Sequence, residues 1–153
     1  MGDTIRTTRA CTLASLSPSL VDALTRRMTP DDLTIVMCCE TVSTTVTSGM
    51  FRRRRVTRTT AMIVTPKRLI WATAGPDGAP VVRSVPLRDI EVHDYERSDE
   101  FRLNPDSGII VDGLPTDVPG RTDSAFIGIG PEAAGGHFRR ALRQSVMDAR
   151  RAP

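Results

Sequence analysis

The feature that most constrains this chain is a change of period. From Leu33 to Ile129 the apolar residues come in short runs rich in Val, Ile and Thr, parted by Gly and Pro. From Phe138 onward they step by three and four. Runs of the first kind fit a pleated, half-buried surface; the second spacing fits one face of a helix. The runs fall at 33–46, 56–65, 68–73, 81–87, 90–97, 107–112 and 124–129, which predicts seven strands. Ser48-Gly49, Pro66-Lys67 and the stretch Ala74-Gly75-Pro76-Asp77-Gly78-Ala79-Pro80 supply the turns. Segment 113–123, with Pro115, Pro119 and Gly120, reads as a loop. In the last helix Phe138, Ala141, Leu142, Ser145, Val146 and Ala149 share a face, while Arg139, Arg140, Arg143 and Asp148 lie off it. Pro131 or the Gly135-Gly136 pair opens that helix, and Arg150 and Arg151 suit its negative end.

Ahead of the strands, residues 1–16 read as poorly ordered at their start. Ser17-Pro18 is a helix opening, a capping hydroxyl followed by proline at the first helical position. Leu20, Leu24 and Met28 recur at helical spacing with Val21 alongside, until Thr29-Pro30 stops the helix. One stripe of this helix is expected to lie on the main domain. The organisation expected is thus an N-terminal segment, 1–30, with a short helix, and one domain over 31–150. A chain of 153 residues buries roughly 68–70% of its unfolded surface, so it needs neither metal nor disulfide to fold. Seven antiparallel strands closed by a terminal helix bury both sheet faces and manage the edges; periodicity alone allows a sandwich with a helix on one side equally well.

Three cysteines, Cys11, Cys38 and Cys39, make no disulfide framework. Neighbours in a strand point to opposite faces, so a Cys38–Cys39 bridge is strained and free, buried thiols are expected. They suit a reducing cytosol. The longest apolar run, 35–39, holds five residues, against the roughly 20 that span a bilayer. No signal-peptide core appears, and Arg6 breaks the myristoylation pattern after Gly2. The expectation is a cytoplasmic protein, peripheral at most to the inner face of a membrane.

The segment Ala61-Met62-Ile63-Val64-Thr65-Pro66-Lys67-Arg68-Leu69-Ile70-Trp71-Ala72 resembles the hairpin of bacterial pleckstrin-homology-like (PH-like, GRAM-type) domains. In these a strand ends in Thr, a short basic turn follows, and the next strand opens Arg-Leu-Ile. Val85-Pro86-Leu87-Arg88-Asp89-Ile90 is similar to the joint before their fifth strand, and the helix holding Phe138 and Leu142 is similar to the one that plugs their barrel. The resemblance covers roughly 31–149. It implies an α+β fold: a seven-stranded antiparallel barrel of two nearly orthogonal sheets capped by a C-terminal helix, here with an N-terminal helix added. It also implies loops at one open end and a variable ligand. Trp71, between Ile70 and Ala72, reads as a core residue.

One run carries a functional expectation. Gly49-Met50-Phe51-Arg52-Arg53-Arg54-Arg55 lies between the first two strands of that domain, with Arg58 three residues on. The resemblance places this loop beside a site for anionic headgroups, and guanidinium forks suit phosphate oxygens. The candidate anion or lipid site is Arg52, Arg53, Arg54, Arg55, Arg58 and Lys67, with Met50 and Phe51 as a membrane tip. Contiguous arginines in a strand alternate faces, so two at most reach one ligand. The stretch 41–47 supplies no further cation. Of the 21 basic residues all but Lys67 are arginine, a bias that GC-rich coding also produces.

Neither histidine, His93 or His137, has a metal-ligand spacing. No nucleophile elbow, phosphate loop or dinucleotide fingerprint appears. The chain therefore reads as a binding module without enzymatic activity or cofactor. Six aromatics offer little for base stacking, which disfavours nucleic acid. Two uses remain. Protein–protein interaction or self-association, through a sheet edge or the groove beside the last helix, is favoured by the incomplete basic pattern. The alternative is peripheral binding of anionic lipid headgroups or other phosphate-bearing ligands through Arg52, Arg53, Arg54 and Arg55.

Overall fold

The computed structural model describes residues 2–153; Met1, the first residue of the expected N-terminal segment, lies outside the described residues. The fold is α+β. Strands β1 (Gly2–Ala10), β2 (Met37–Ser48), β3 (Arg53–Val64), β4 (Arg68–Ala74) and β5 (Val81–Pro86) form a five-stranded antiparallel sheet in that order. Strands β6 (Glu91–Asp94), β7 (Gly108–Pro115) and β8 (Thr122–Gly128) form a second, three-stranded antiparallel sheet. Helix α1 (Pro18–Arg27) packs on the outside of the first sheet, α2 (Glu100–Leu103) is a single turn, and α3 (Ala133–Arg151) ends the fold.

The alternation shows why β3 over 61–64 and β4 over 69–72 are apolar at every position. Met62, Val64, Leu69 and Trp71 enter the core between the two sheets, with Ile109, Ile127, Phe138 and Leu142. Their neighbours Ala61, Ile63, Ile70 and Ala72 point the other way, against Leu16, Leu20 and Leu24 of the α1 region. A strand buried on both faces loses the polar half of its period. Trp71 is a core residue, 5% exposed, and α1 lays its leucine stripe on the sheet as expected. Pro18 is the first residue of α1, although the Ser17 hydroxyl makes no capping bond.

Four expectations are corrected. Residues 2–10 are not poorly ordered: they form β1, paired along its length with β2 from Gly2 opposite Thr47 to Ala10 opposite Cys39. Among the described residues the strands therefore number eight, not seven. Segment 113–123 is loop only over 116–121, since β7 runs through Pro115 and β8 starts at Thr122. Gly113 makes this possible: at φ +94° it forms a bulge between Asp112 and Leu114. The strand expected at 90–97 ends at Asp94, where a 3-10 turn carries Tyr95 inward.

The fourth correction is that the sheets do not close into a barrel. At one side a 3-10 turn, Leu87–Asp89, separates β5 from β6. At the other, side chains and the lead-in to α3 fill the gap between β1 and β8. The Thr8 N–H donates to Glu132 Oε1 at 2.7 Å, and the Gly130 N–H donates to Thr8 Oγ1 at 2.7 Å. The outward Thr8 N–H of β1 is thus satisfied without a ladder partner. Helix α3 begins directly after Pro131 and Glu132, before the glycine pair. Gly135 is required by close approach, because a Cβ there would stand 2.6 Å from the Gly130 carbonyl oxygen.

Half-buried ion pairs fasten α3 to the second sheet and the turn that follows β6. Arg139 bonds both Asp94, at 2.8 Å, and Glu96, at 2.9 Å. Arg143 adds a bond to Asp94, and Arg150 donates to the Ile90 carbonyl at 2.6 Å.

Candidate functional site

The hairpin of β2 and β3 positions the arginines. Both strands have 12 residues, but β4 pairs with β3 only from Thr59 to Val64. Residues 53–58 therefore extend beyond the sheet as an arm of roughly 20 Å, at about 3.3 Å per residue, backed only by β2 and β1. The turn closes with the Gly49 N–H donating to the Arg52 carbonyl at 2.8 Å. Met50 and Phe51 stand at its apex, each 91% exposed. The polar run is a strand because its backbone pairs with β2, Arg53 opposite Ser48 through Arg55 opposite Val46.

The alternation divides the cations. Arg53 and Arg55 share the face of Ala61 and Ile63; Arg54 and Arg58 share the face of Met62 and Val64. Arg52 belongs to the turn. Lys67 stands in the β3–β4 turn at the other end of the sheet, about 30 Å along β3 from Arg55. So five of the six expected cations gather on one arm, and Lys67 does not join them. All six are exposed, and among the described residues none is paired with a carboxylate.

Arg58 also reaches a cleft of about 400 Å³ between the two sheets, which the sequence did not disclose. Ser43, Thr45, Thr60 and Thr73 line it with hydroxyls, and Trp71 and Phe126 form its apolar wall. A second guanidinium there, that of Arg6, is already committed. It grips both oxygens of Asp106 at 2.8 Å, bonds Ser43 Oγ at 2.6 Å and lies 5.2 Å above the Phe126 ring. Burial raises the Asp106 carboxyl, and the Arg6 fork outweighs it, so its pKa lies below the ordinary carboxylate value. The signal in the sequence was spacing: Thr41, Ser43, Thr45 and Arg58, Thr60, Met62 each step by two, hence share a face.

A larger cleft, about 760 Å³, lies over the outer face of the second sheet. His93 Nε2 sits 3.0 Å from Asp112 and 3.6 Å from Glu91. The Ser124 hydroxyl bonds the other oxygen of Asp112. The carboxylate stands between hydroxyl and imidazole, so the imidazole does not reach the hydroxyl, the reverse of the order in a serine–histidine–aspartate nucleophile. Among the described residues no group of three His, Cys, Asp or Glu side chains is arranged to hold a metal ion, and no helix is long and apolar enough to cross a membrane.

Comparison with protein-family models, with curated proteins and with solved structures returned no match to this chain.

Proposed function

We propose that this chain is a non-enzymatic binding module on a PH-like scaffold, and that it docks peripherally on an anionic lipid surface through the tip of the β2–β3 hairpin. One observation carries the reading: an apex of Met50 and Phe51, both fully presented to solvent, followed directly by four arginines. Alternation divides those arginines for a soluble ligand, which sees one face. It does not divide them for a plane met end-on. All of Arg52, Arg53, Arg54 and Arg55 lie within about 13 Å of Phe51 measured along the strand, so both faces present charge close behind the apex. The scaffold reading has its own support: with β1 set aside, a four-strand meander, a three-strand meander and a terminal helix remain.

The energetics describe a reversible contact. Each basic residue near an anionic surface contributes about 1 kcal/mol, and burying Phe51 adds about 1.5–3 kcal/mol. For the four arginines the sum corresponds to a Kd between roughly a hundred and roughly ten micromolar. The test is cosedimentation with vesicles of phosphatidylserine in phosphatidylcholine. Binding to these, no binding to phosphatidylcholine alone and release by salt are expected. Changing Arg52, Arg53, Arg54 and Arg55 together to Ser abolishes it. Binding that survives this change, or no binding at all, overturns the reading.

A second reading, a protein partner or self-association, draws on the groove of about 290 Å³ between β6 and α3. Val92, Val146 and the 47% exposed Met147 line it beside the open edge of β6. It expects a mass that rises with concentration, unaffected by the arginine substitutions and lost in Met147→Glu. A constant mass removes self-association.

A further inference from the structure

Cys11 and Cys38 stand with their sulfurs 3.2 Å apart. They occupy the step just beyond the last ladder pair of β1 and β2, Ala10 opposite Cys39, and the Cys11 N–H donates to the Cys38 carbonyl at 3.0 Å. Residues directly opposite across an antiparallel pair sit about 4.5–5.5 Å apart at Cα, inside the window of roughly 4.4–6.8 Å that a disulfide spans. The third thiol cannot compete. Cys39 points to the opposite face, into the core between the sheets, with its sulfur 3.8 Å from the Ala134 carbonyl.

The two sulfurs are not equivalent. Cys38 is buried beneath α1, and Cys11 is half-buried. A small reagent therefore meets Cys11 first. The hydrogen bond from Cys38 lowers the Cys11 thiol below its ordinary value, against the effect of burial, with some help from Arg9. The same bond, together with burial, pushes the Cys38 thiol far up. One sulfur is disposed to attack and the other to wait beside it.

We propose that Cys11 and Cys38 form a reversible oxidation site, in which a peroxide converts the facing thiols into a cross-strand disulfide that fastens the segment carrying α1. The Cys11 thiolate attacks one oxygen of hydrogen peroxide. The O–O bond breaks, leaving a sulfenic acid on Cys11, and the departing oxygen takes a proton and leaves as water. The Cys38 sulfur then attacks the Cys11 sulfur. The S–O bond breaks, and the leaving hydroxide takes the Cys38 proton as a second water. Two thiols are oxidised and one peroxide is reduced to two waters. A dithiol reverses the change by exchange.

The bridge closes a loop over residues 11–38 that contains all of α1 and its Leu16, Leu20 and Leu24 stripe. It lies at the opposite end of β2 from Met50 and Phe51, so it is independent of the proposed docking tip. The experiment treats the reduced full chain with one equivalent of hydrogen peroxide. The free thiols are expected to fall from three to one, with the mass lower by two hydrogens and a linked Cys11–Cys38 peptide after digestion. Loop closure of this size is expected to raise Tm by roughly 5–10 °C. Cys39→Ser keeps the link and the rise in Tm, with its two thiols falling to none, whereas Cys11→Ser, at the half-buried position, blocks the link and serves if Cys38→Ser does not fold. Three thiols retained, oxygen gained in place of hydrogen lost, a disulfide-linked dimer, or a bridge through Cys39 each overturns the proposal.

Discussion

Arg139 on α3 meets Glu96 fork to fork, with Nη1 on Oε2 and Nη2 on Oε1, each at 2.9 Å. The arginine side chain is only 16% exposed and bonds Asp94 as well, so removing it leaves two carboxylates short of a partner in a poorly hydrated place. Arg139→Met, which keeps the stem, is expected to lower stability by about 1.5–3 kcal/mol. Arg139→Lys recovers only part, because a point charge cannot match the fork. The midpoint of urea unfolding reads both; an unchanged midpoint in Arg139→Met disproves the tie.

The same site sets an acid dependence. Burial would raise the Glu96 carboxyl, but the bonds from Arg139 and from the backbone N–H groups of Glu96 and Gly108 outweigh it and hold the group at about 2, against an ordinary 4.5. The folded pKa is depressed, so the unfolded chain takes up protons first as pH falls. The contribution is fully present above the ordinary value and is lost between there and about 2. Tm measured down a pH series is expected to fall through this window, and Glu96→Gln is expected to fall less steeply. Equal slopes in the two proteins reject the assignment.

Gly113 is the position where the backbone leaves least choice. Its φ is +94°, and a Cβ there would lie 2.3 Å from the Asp89 carbonyl oxygen. Gly113→Ala is expected to cost about 1–3 kcal/mol, as strain in β7 and displacement of the Leu87–Asp89 turn. Gly75, where an added Cβ meets nothing, is the control, and its Ala variant is expected to unfold near the parent midpoint.

Phe51 separates docking from folding. It is 91% exposed and packs on nothing, so Phe51→Ser is expected to leave Tm unchanged. Loss of its burial in a lipid interface is expected to weaken vesicle binding by about ten- to a hundredfold. Vesicle titration and a thermal melt of the same sample read the two effects. Unweakened binding means that the apex does not enter the lipid.

What the sequence disclosed follows the distribution of apolar side chains. The runs around Met62 and Ile70, and the face of Phe138, Leu142 and Val146, were legible because burial alone determines them. Strand β1 was not: its one aliphatic residue beyond Ala10, Ile5, is 70% exposed, while its buried member is Thr8. It is held by its ladder and by bonds such as Arg6 to Asp106, 100 residues away, which leave no periodic trace. For the same reason β3 was expected to start at Val56, although Arg53, Arg54 and Arg55 already pair with β2. The failure of the sheets to close is a tertiary matter as well, decided by where Glu132 and Gly130 come to rest. In the site, contiguity of the arginines was legible and so was their alternation. The separation of Lys67 needed the strand length, and the cleft at Arg58 needed the second sheet.

The bond between Thr8 and Glu132 orders events in time. The meander from β2 to β5 joins neighbours in the chain and can zip as it leaves a ribosome. The first strand cannot finish with it, because the proton on its Thr8 amide waits for a carboxylate 124 residues further on. Contacts so distant form late, though their entropic cost grows only with the logarithm of the separation. A polypeptide halted before Pro131 lacks the Glu132 carboxylate for that amide, so this end of the first strand can be fastened only once the lead-in to the final helix has been made.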